Sequence, residues 1–318
     1  ATKTFVVALL DATGHAMWMK LVGKVGSKFS ALELGTDSSG NLYGAVSLAS
    51  GETVGGQTFD CDFTLFSLAP TGSFRYARCV SPAPGSIYSI DALAVDGSGS
   101  VYLAGYPKPG LDVGTGPLSI NASAGASFLA KVGPAGKTVW AKTLLRAYAS
   151  TLVVTSGGTL FMSGDLPQQN ASNGLIEIDG HAYLPCNDGF RTHVTRVAPD
   201  GTVEWSRAWG ARPALLAVSD QYDLLFTAQV VDAPEVAEGA ATTDTPPLLG
   251  VVGPSGALTW LGSLTPPGGT GQNNVREAAP LAGGGFVVSG GLGEPLTLGT
   301  GVLKGAFGGS DLVFGVGK

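Results

Sequence analysis

Short apolar runs, each closed by a turn rich in Gly, Pro, Asp or Ser, fill the chain from end to end. Runs of this length between turn signals read as β-strands rather than helices. Five segments share one pattern: an apolar strand, a turn ending in Gly, and a strand bearing an aromatic four residues after that Gly. They read VVALLDATGHAMWMK from Val6, FSLAPTGSFRYAR from Phe66, LAKVGPAGKTVWAK from Leu129, VTRVAPDGTVEWSR from Val194 and LGVVGPSGALTWLG from Leu249. The turn glycines, Gly14, Gly72, Gly136, Gly201 and Gly256, recur about every 60 residues. Four of the turns carry Pro two residues before the Gly, so Pro sets φ and Gly supplies a positive φ. The first, Asp11-Ala-Thr-Gly14, lacks the Pro.

A second strand pair lies between these hairpins, again five times. The copies are LELGTDSSGNLYGAV from Leu32, ALAVDGSGSVYLAG from Ala92, TLVVTSGGTLFMSG from Thr151, LLAVSDQYDLLFTA from Leu215 and AAPLAGGGFVVSG from Ala278. Unbroken apolarity in LAVDG and VYLAG predicts burial on both faces. Naming this pair A–B and the first pair C–D gives a four-stranded antiparallel unit, the size and period of a propeller blade.

The fold class expected is therefore all-β, a β-propeller of five four-stranded blades closed between its N- and C-terminal segments. The expected repeats are approximately 23–80, 81–143, 144–208, 209–263 and 264–310, the last closed by 1–22, in one domain over 1–318. A propeller has to close because an open sheet edge is a liability. Residues 311–318, DLVFGVGK, repeat strand C once more and duplicate TFVVALL from Thr4. They are expected to displace or flank that strand, to pair with a neighbouring molecule, or to begin a further repeat.

The stretches AVDGSGSVYLAG, GLDVGTGPLSINASAGASFLAKVGPAGKTVWAK and PLTLGTGVLKGAFGGSDLVF resemble the bacterial SBBP repeats, especially those of myxobacterial secreted proteins and lipoproteins. The resemblance covers nearly the whole chain, strongest over 90–143 and 284–316. It implies a propeller, a secreted or cell-surface location and no known catalytic activity. The family has no established catalytic motif, so no site residue is carried over. Such repeats often come with more than five blades.

Composition narrows the function. Lys plus Arg number 18 against 24 Asp plus Glu, a net charge of -6, so there is no basic face for nucleic acid. No apolar run reaches the roughly 18 residues of a membrane-spanning helix. The chain starts at Ala1 without a basic-then-apolar leader, as expected of a processed secreted protein or a trimmed chain.

Candidate chemistry is sparse, and no cofactor is expected. Trp18, Tyr76, Trp140, Trp205 and Trp260 share one position in strand D, where an aromatic packs between neighbouring sheets. Glu33 and Glu277 stand at equivalent positions near the start of strand A, with Asp91 and Arg276 one residue earlier. The start of strand A lines the channel of a propeller. Glu33, Asp91 and Glu277 could therefore serve as a glycosidase carboxylate set, which needs a pair about 5–10 Å apart. The plainer expectation is a solvated channel mouth, with no enzyme. His15, His181 and His193 lack metal-ligand spacing, and there is no Cys-x-x-Cys, so no metal site is expected. Asp96-Gly-Ser-Gly reads as a turn rather than a calcium loop. No Gly-x-Ser-x-Gly elbow is present.

Cys61 and Cys79 flank strands C and D of one unit nearly opposite each other, which predicts a disulfide and an oxidising compartment. Cys186 has no such partner and is expected free or intermolecular. The B-to-C connectors, roughly 47–61, 106–126, 164–188, 229–247 and 291–310, are long and carry strand signals of their own, such as LIEIDGHAYL and PLTLGTGVL. They should gather on one side, where function usually resides. Phe59, His181, Tyr183 and Trp209 are the candidate binding residues. The expected function is non-catalytic binding or scaffolding, lectin-like or adhesive, toward carbohydrate or a surface protein. Self-association through Asp311–Lys318 and glycoside hydrolysis are the alternatives.

Overall fold

The computed structural model describes residues 4–24, 33–120, 126–145, 147–165, 176–178, 181–183, 192–209, 211–219, 224–230, 248–263, 274–280, 286–291, 296–298, 301–303 and 311–316. The chain forms two compact units, Ala1–Leu152 with Ser156–Gly158, and Val153–Thr155 with Thr159–Lys318. The regular elements among the described residues are all β-strands, and all of their pairings are antiparallel.

In the first unit, β1 (Thr4–Leu10) and β2 (Ala16–Lys24) form a two-stranded hairpin. A four-stranded sheet follows, built from β3 (Glu33–Thr36), β4 (Leu42–Val46), β7 (Thr64–Leu68) and β8 (Phe74–Cys79) in that order. A small hairpin of β5 (Glu52–Val54) and β6 (Gln57–Phe59) is inserted between β4 and β7. The next sheet is β9 (Ile87–Val95), β10 (Val101–Pro107), β11 (Ala126–Val132) and β12 (Thr138–Leu145). β7 and the first five residues of β10 are buried along their whole length, as their unbroken apolar runs predict.

The second unit repeats the plan. β13 (Thr151–Val154), β14 (Leu160–Asp165), β17 (Thr192–Val197) and β18 (Val203–Trp209) form one sheet, with the hairpin β15 (Ile176–Ile178) and β16 (His181–Tyr183) inserted between β14 and β17. β19 (Ala211–Val218), β20 (Leu224–Val230), β21 (Leu248–Val252) and β22 (Leu258–Ser263) form the next. The last sheet has three strands, β23 (Asn274–Pro280), β24 (Phe286–Gly291) and β27 (Asp311–Val316), with the hairpin β25 (Leu296–Leu298) and β26 (Gly301–Leu303) inserted before β27.

Among the described residues, this pairing corrects the expectation that 1–22 supply strand C of the last sheet and bears out the one that residues 311–318 take that strand's place. Strand C of the last sheet is β27, paired from Phe286↔Val316 to Gly291↔Asp311, and not β1. Among the described residues β1 pairs with β2 alone. The two segments carry the same strand pattern, so local sequence does not choose between them. A short connection through the β25–β26 hairpin favours β27 because closing a shorter loop costs less entropy.

The predicted turns form as written. Gly14, Gly72, Gly136, Gly201 and Gly256 all have φ between 78° and 89°. In each turn the Gly N–H donates to the carbonyl three residues back. Where the first turn lacks Pro, the Asp11 carboxylate takes over the fixing role, accepting from the N–H groups of Thr13 and His15.

Sheets within a unit are joined by two recurring contacts. The strand-D aromatic lies on the C–D turn glycine of the next sheet, as Tyr76 does on Gly136 and Trp205 on Gly256. The Trp205 Nε1 donates to the Pro254 carbonyl. At the A–B turns, the Ser38 N–H donates to Gly97 O, and the Gly97 N–H and the Tyr102 phenol donate to the carbonyls of Ser156 and Gly158, residues that belong to the first unit. Arg78 adds a hub that sequence reading missed, donating to the carbonyls of Cys79, Val80, Val113 and Gly136 and to Thr138 Oγ1. Burial lowers its pKa from the ordinary Arg value.

The β1–β2 hairpin is the exception to two-sided burial. Val7, Val22, Phe5 and Trp18 pack against the Val46, Phe66 and Leu68 core. On the other face Val6, Leu10, Met17, Met19 and Leu21 are exposed, Met19 to 69%. A row of apolar side chains on a strand pair is the signature of burial on both faces.

Candidate functional site

In an antiparallel four-stranded sheet the A–B and C–D turns lie at one end, and the B–C connectors and D–A links at the other. The turn end is the one sealed by the aromatic-on-glycine and turn-to-turn contacts. The connector end carries the variation. Inserted hairpins stand there at β5–β6, β15–β16 and β25–β26, and a single bridge, Asp112↔Pro117, closes the corresponding loop after β10. That loop is held by Asp112 Oδ1, which accepts from the N–H groups of Gly114 and Gly116.

The expected disulfide is present. Cys61 and Cys79 are bonded with their Cα atoms 5.9 Å apart, Cys79 pairing with Thr64 at the end of the β7–β8 hairpin. A disulfide of this kind persists in an oxidising environment. No helix among the described residues is long and apolar enough to cross a membrane.

Of the three strand-A carboxylates, two have described side chains, Glu33 on β3 and Asp91 on β9. Burial raises the pKa of Glu33, and the charge of Asp91 adds to the shift. Burial likewise raises Asp91, against an opposing hydrogen bond from Ser89. Asp91 is open to solvent on one side yet flanked closely enough by protein to be desolvated. Glu277 lies on β23 opposite Ser289, and its side chain is outside the described residues, as are those of Arg276 and Trp260.

Asp91 owes its position to a β-bulge. Ala104 pairs with Ala92 and Gly105 with Ile90, which leaves Asp91 without a ladder partner. A second bulge in β9 does the same for Tyr88, because Tyr106 pairs with Ser89 and Pro107 with Ile87. Bulges re-aim side chains and concentrate next to functional sites. Tyr88 thereby meets Tyr106 at a centroid distance of 5.2 Å, and Tyr148 lies 5.9 Å from Tyr106. The ammonium of Lys108 sits 4.2 Å from the Tyr88 ring centroid, within cation–π range. Burial raises the Tyr148 phenol above its ordinary pKa, with Tyr106 adding to the shift. Sequence reading found Asp91 by alignment but missed all three tyrosines.

The other candidates fall out differently. Phe59 is half-buried, packed against the Val54, Phe66 and Leu68 core. His181 and Tyr183 occupy β16 opposite Ile178 and Ile176, and Trp209 ends β18 opposite Thr192. The side chains of these three lie outside the described residues, as does Cys186. No group of His, Cys, Asp and Glu among the described residues could hold a metal ion. Asp96 is a turn residue, its Oδ1 accepting from the N–H groups of Ser98 and Ser100.

No family model matches the chain, and no curated protein matches it. Solved structures do. A protein of unknown function from Bacteroides caccae is similar at 12% identity and a TM-score of 0.45, over 90% of this chain and 82% of that one. The Dos1 propeller is similar at 9% identity and a TM-score of 0.42, over 89% of this chain and 56% of that one. The cobalt-substituted apocarotenoid oxygenase of Synechocystis is similar at 12% identity and a TM-score of 0.44, over 88% of this chain and 61% of that one. The last of these corrects the expectation of no enzyme. An oxygenase stands among the propeller-like neighbours, and the lack of a catalytic motif in the sequence is no ground for excluding catalysis.

Proposed function

We propose that the chain is a secreted or surface-displayed five-bladed propeller whose connector end binds a ligand, in a lectin-like or adhesive role. The observation that carries this reading is the contrast between the two sheet ends. One end is sealed by repeated contacts that leave little room for variation. The other presents inserted hairpins and the bulged start of β9. Functional residues gather on such extensions of a rigid scaffold. The disulfide and the likeness to SBBP repeats support the extracytoplasmic setting. Ring closure by the two chain ends would cover the apolar face of Val6, Leu10, Met17, Met19 and Leu21. The test is an array of glycans and of bacterial surface proteins probed with the intact chain. Reproducible, saturable capture by one class supports the reading, and uniform absence of binding contradicts it.

A second reading rests on Glu33 and Asp91. Two carboxylates of raised pKa, one depending on the charge of the other, are the arrangement from which glycoside hydrolysis draws a general acid and its partner. Release of reducing sugar from polysaccharides, abolished by Glu33→Gln, would support it. Equal rates in the two chains would remove it.

A further inference from the structure

The two bulges of β9 have one consequence in common. In a regular strand, residues 88 and 89 would point to opposite faces. Without a ladder partner, Tyr88 turns toward Tyr106, the residue directly across from Ser89. Tyr148, from the link between β12 and β13, brings a third ring against Tyr106. Neighbouring ring planes tilt by 43° and 35°. Tyr88 is 55% exposed, a costly way to place an aromatic whose only task is packing.

We propose that Tyr88, Tyr106 and Tyr148 form the binding platform for a neutral oligosaccharide. This inference rests on the connector-end reading above and names its ligand class. The C–H faces of a pyranose are apolar and slightly positive at hydrogen, which suits the electron-rich face of a phenol ring. The hydroxyls of the sugar need hydrogen-bonding partners at the edge of the platform. Ser89 stands across the ladder from Tyr106 and bonds to Asp91, Asp91 acts electrostatically on Glu33, and the Lys108 ammonium, over one face of the Tyr88 ring, is a donor beside the face left to the sugar. Aromatic walls with a few convergent polar groups are the usual composition of a small-molecule site. The two carboxylates, and a net charge of -6, disfavour an anionic sugar.

The experiment is isothermal titration calorimetry of the intact chain with cellohexaose, xylohexaose, mannohexaose and maltohexaose. Tyr88→Ala, Tyr88→Phe, Lys108→Met and the distant, exposed Val139→Ala are titrated alongside, each checked by a thermal melt. At least one of the four sugars is expected to bind. Tyr88→Ala should weaken that binding by about tenfold or more, with Tyr88→Phe and Val139→Ala within about twofold of the parent. Lys108→Met keeps the ring and removes that donor; it should weaken binding severalfold, and it carries the test if Tyr88→Ala does not fold. Sugar binding unchanged in Tyr88→Ala or Lys108→Met overturns the platform and leaves the connector-end reading standing. No binding of any of the four sugars, with capture of a protein on the array intact, overturns the saccharide class alone. Absence of binding in both assays overturns both.

Discussion

The indole of Trp18 lies on Gly72, and its Nε1 donates to the Pro70 carbonyl at 2.7 Å. A Cβ at position 72 would come within 2.8 Å of the indole, at a φ of +78°. The turn glycine therefore does two jobs, allowing the turn and receiving the neighbouring aromatic. Gly51 separates them, since it has φ +76° and open space around its Cβ position. Gly51→Ala should lose only the backbone term, on the order of 1–2 kcal/mol. Gly72→Ala should lose that and the packing of Trp18 as well, giving the larger fall in denaturation midpoint. Equal losses would show that the aromatic contact contributes nothing.

Tyr76 uses its ring on Gly136, and its buried hydroxyl has no hydrogen-bond partner among the described residues. An unsatisfied buried hydroxyl costs about 1–3 kcal/mol. Tyr76→Phe is expected to keep the ring contact and to match or exceed the parent in thermal stability. A clear drop in melting temperature would mean that the hydroxyl is bonded in solution.

The Cys61–Cys79 bond spans a sequence separation of 18 residues. Restricting the unfolded chain by a loop of that size contributes about 3 kcal/mol. Cys61→Ala should lower the urea midpoint accordingly, and dithiothreitol should lower that of the parent but not that of the variant.

Glu33 and Asp91 set a pH dependence with a definite sign. Both have folded-state pKa values above their ordinary values of 4.5 and 3.8, because burial disfavours the charged carboxylates. The fold therefore binds their protons more tightly than the unfolded chain does. Their contribution to stability is complete below those ordinary values and is lost as pH rises through the folded-state values. Glu33→Gln is expected to raise the melting temperature at neutral pH and to flatten its decline over that window. A lower melting temperature at neutral pH would show that the charged carboxylate is stabilised by a partner.

How much of this was legible follows from the range of each interaction. The turn glycines, the strand-D aromatics and the disulfide depend on short spacings repeated within each unit, so one sequence displays them five times or once with clear geometry. The choice of β27 over β1 as partner of β24 was not legible, because Thr4–Leu10 and Asp311–Val316 carry the same apolar pattern. Nor were the bulges at Tyr88 and Asp91. An extra residue in one strand is defined by the register of its neighbour, and IYSIDALAV shows no trace of it. The tyrosine row brings together a strand start, a strand end and a link, and no periodicity connects residues 88, 106 and 148.

The most direct test of the account is amide hydrogen exchange of the intact chain, with and without the ligand captured on the array. Binding at the connector end predicts slower exchange in residues 86–91, 104–108 and 147–150 and in the inserted hairpins. The turns at Gly72, Gly136, Gly201 and Gly256 should be unaffected. Protection confined to those turns, with the β9 start unchanged, would contradict it.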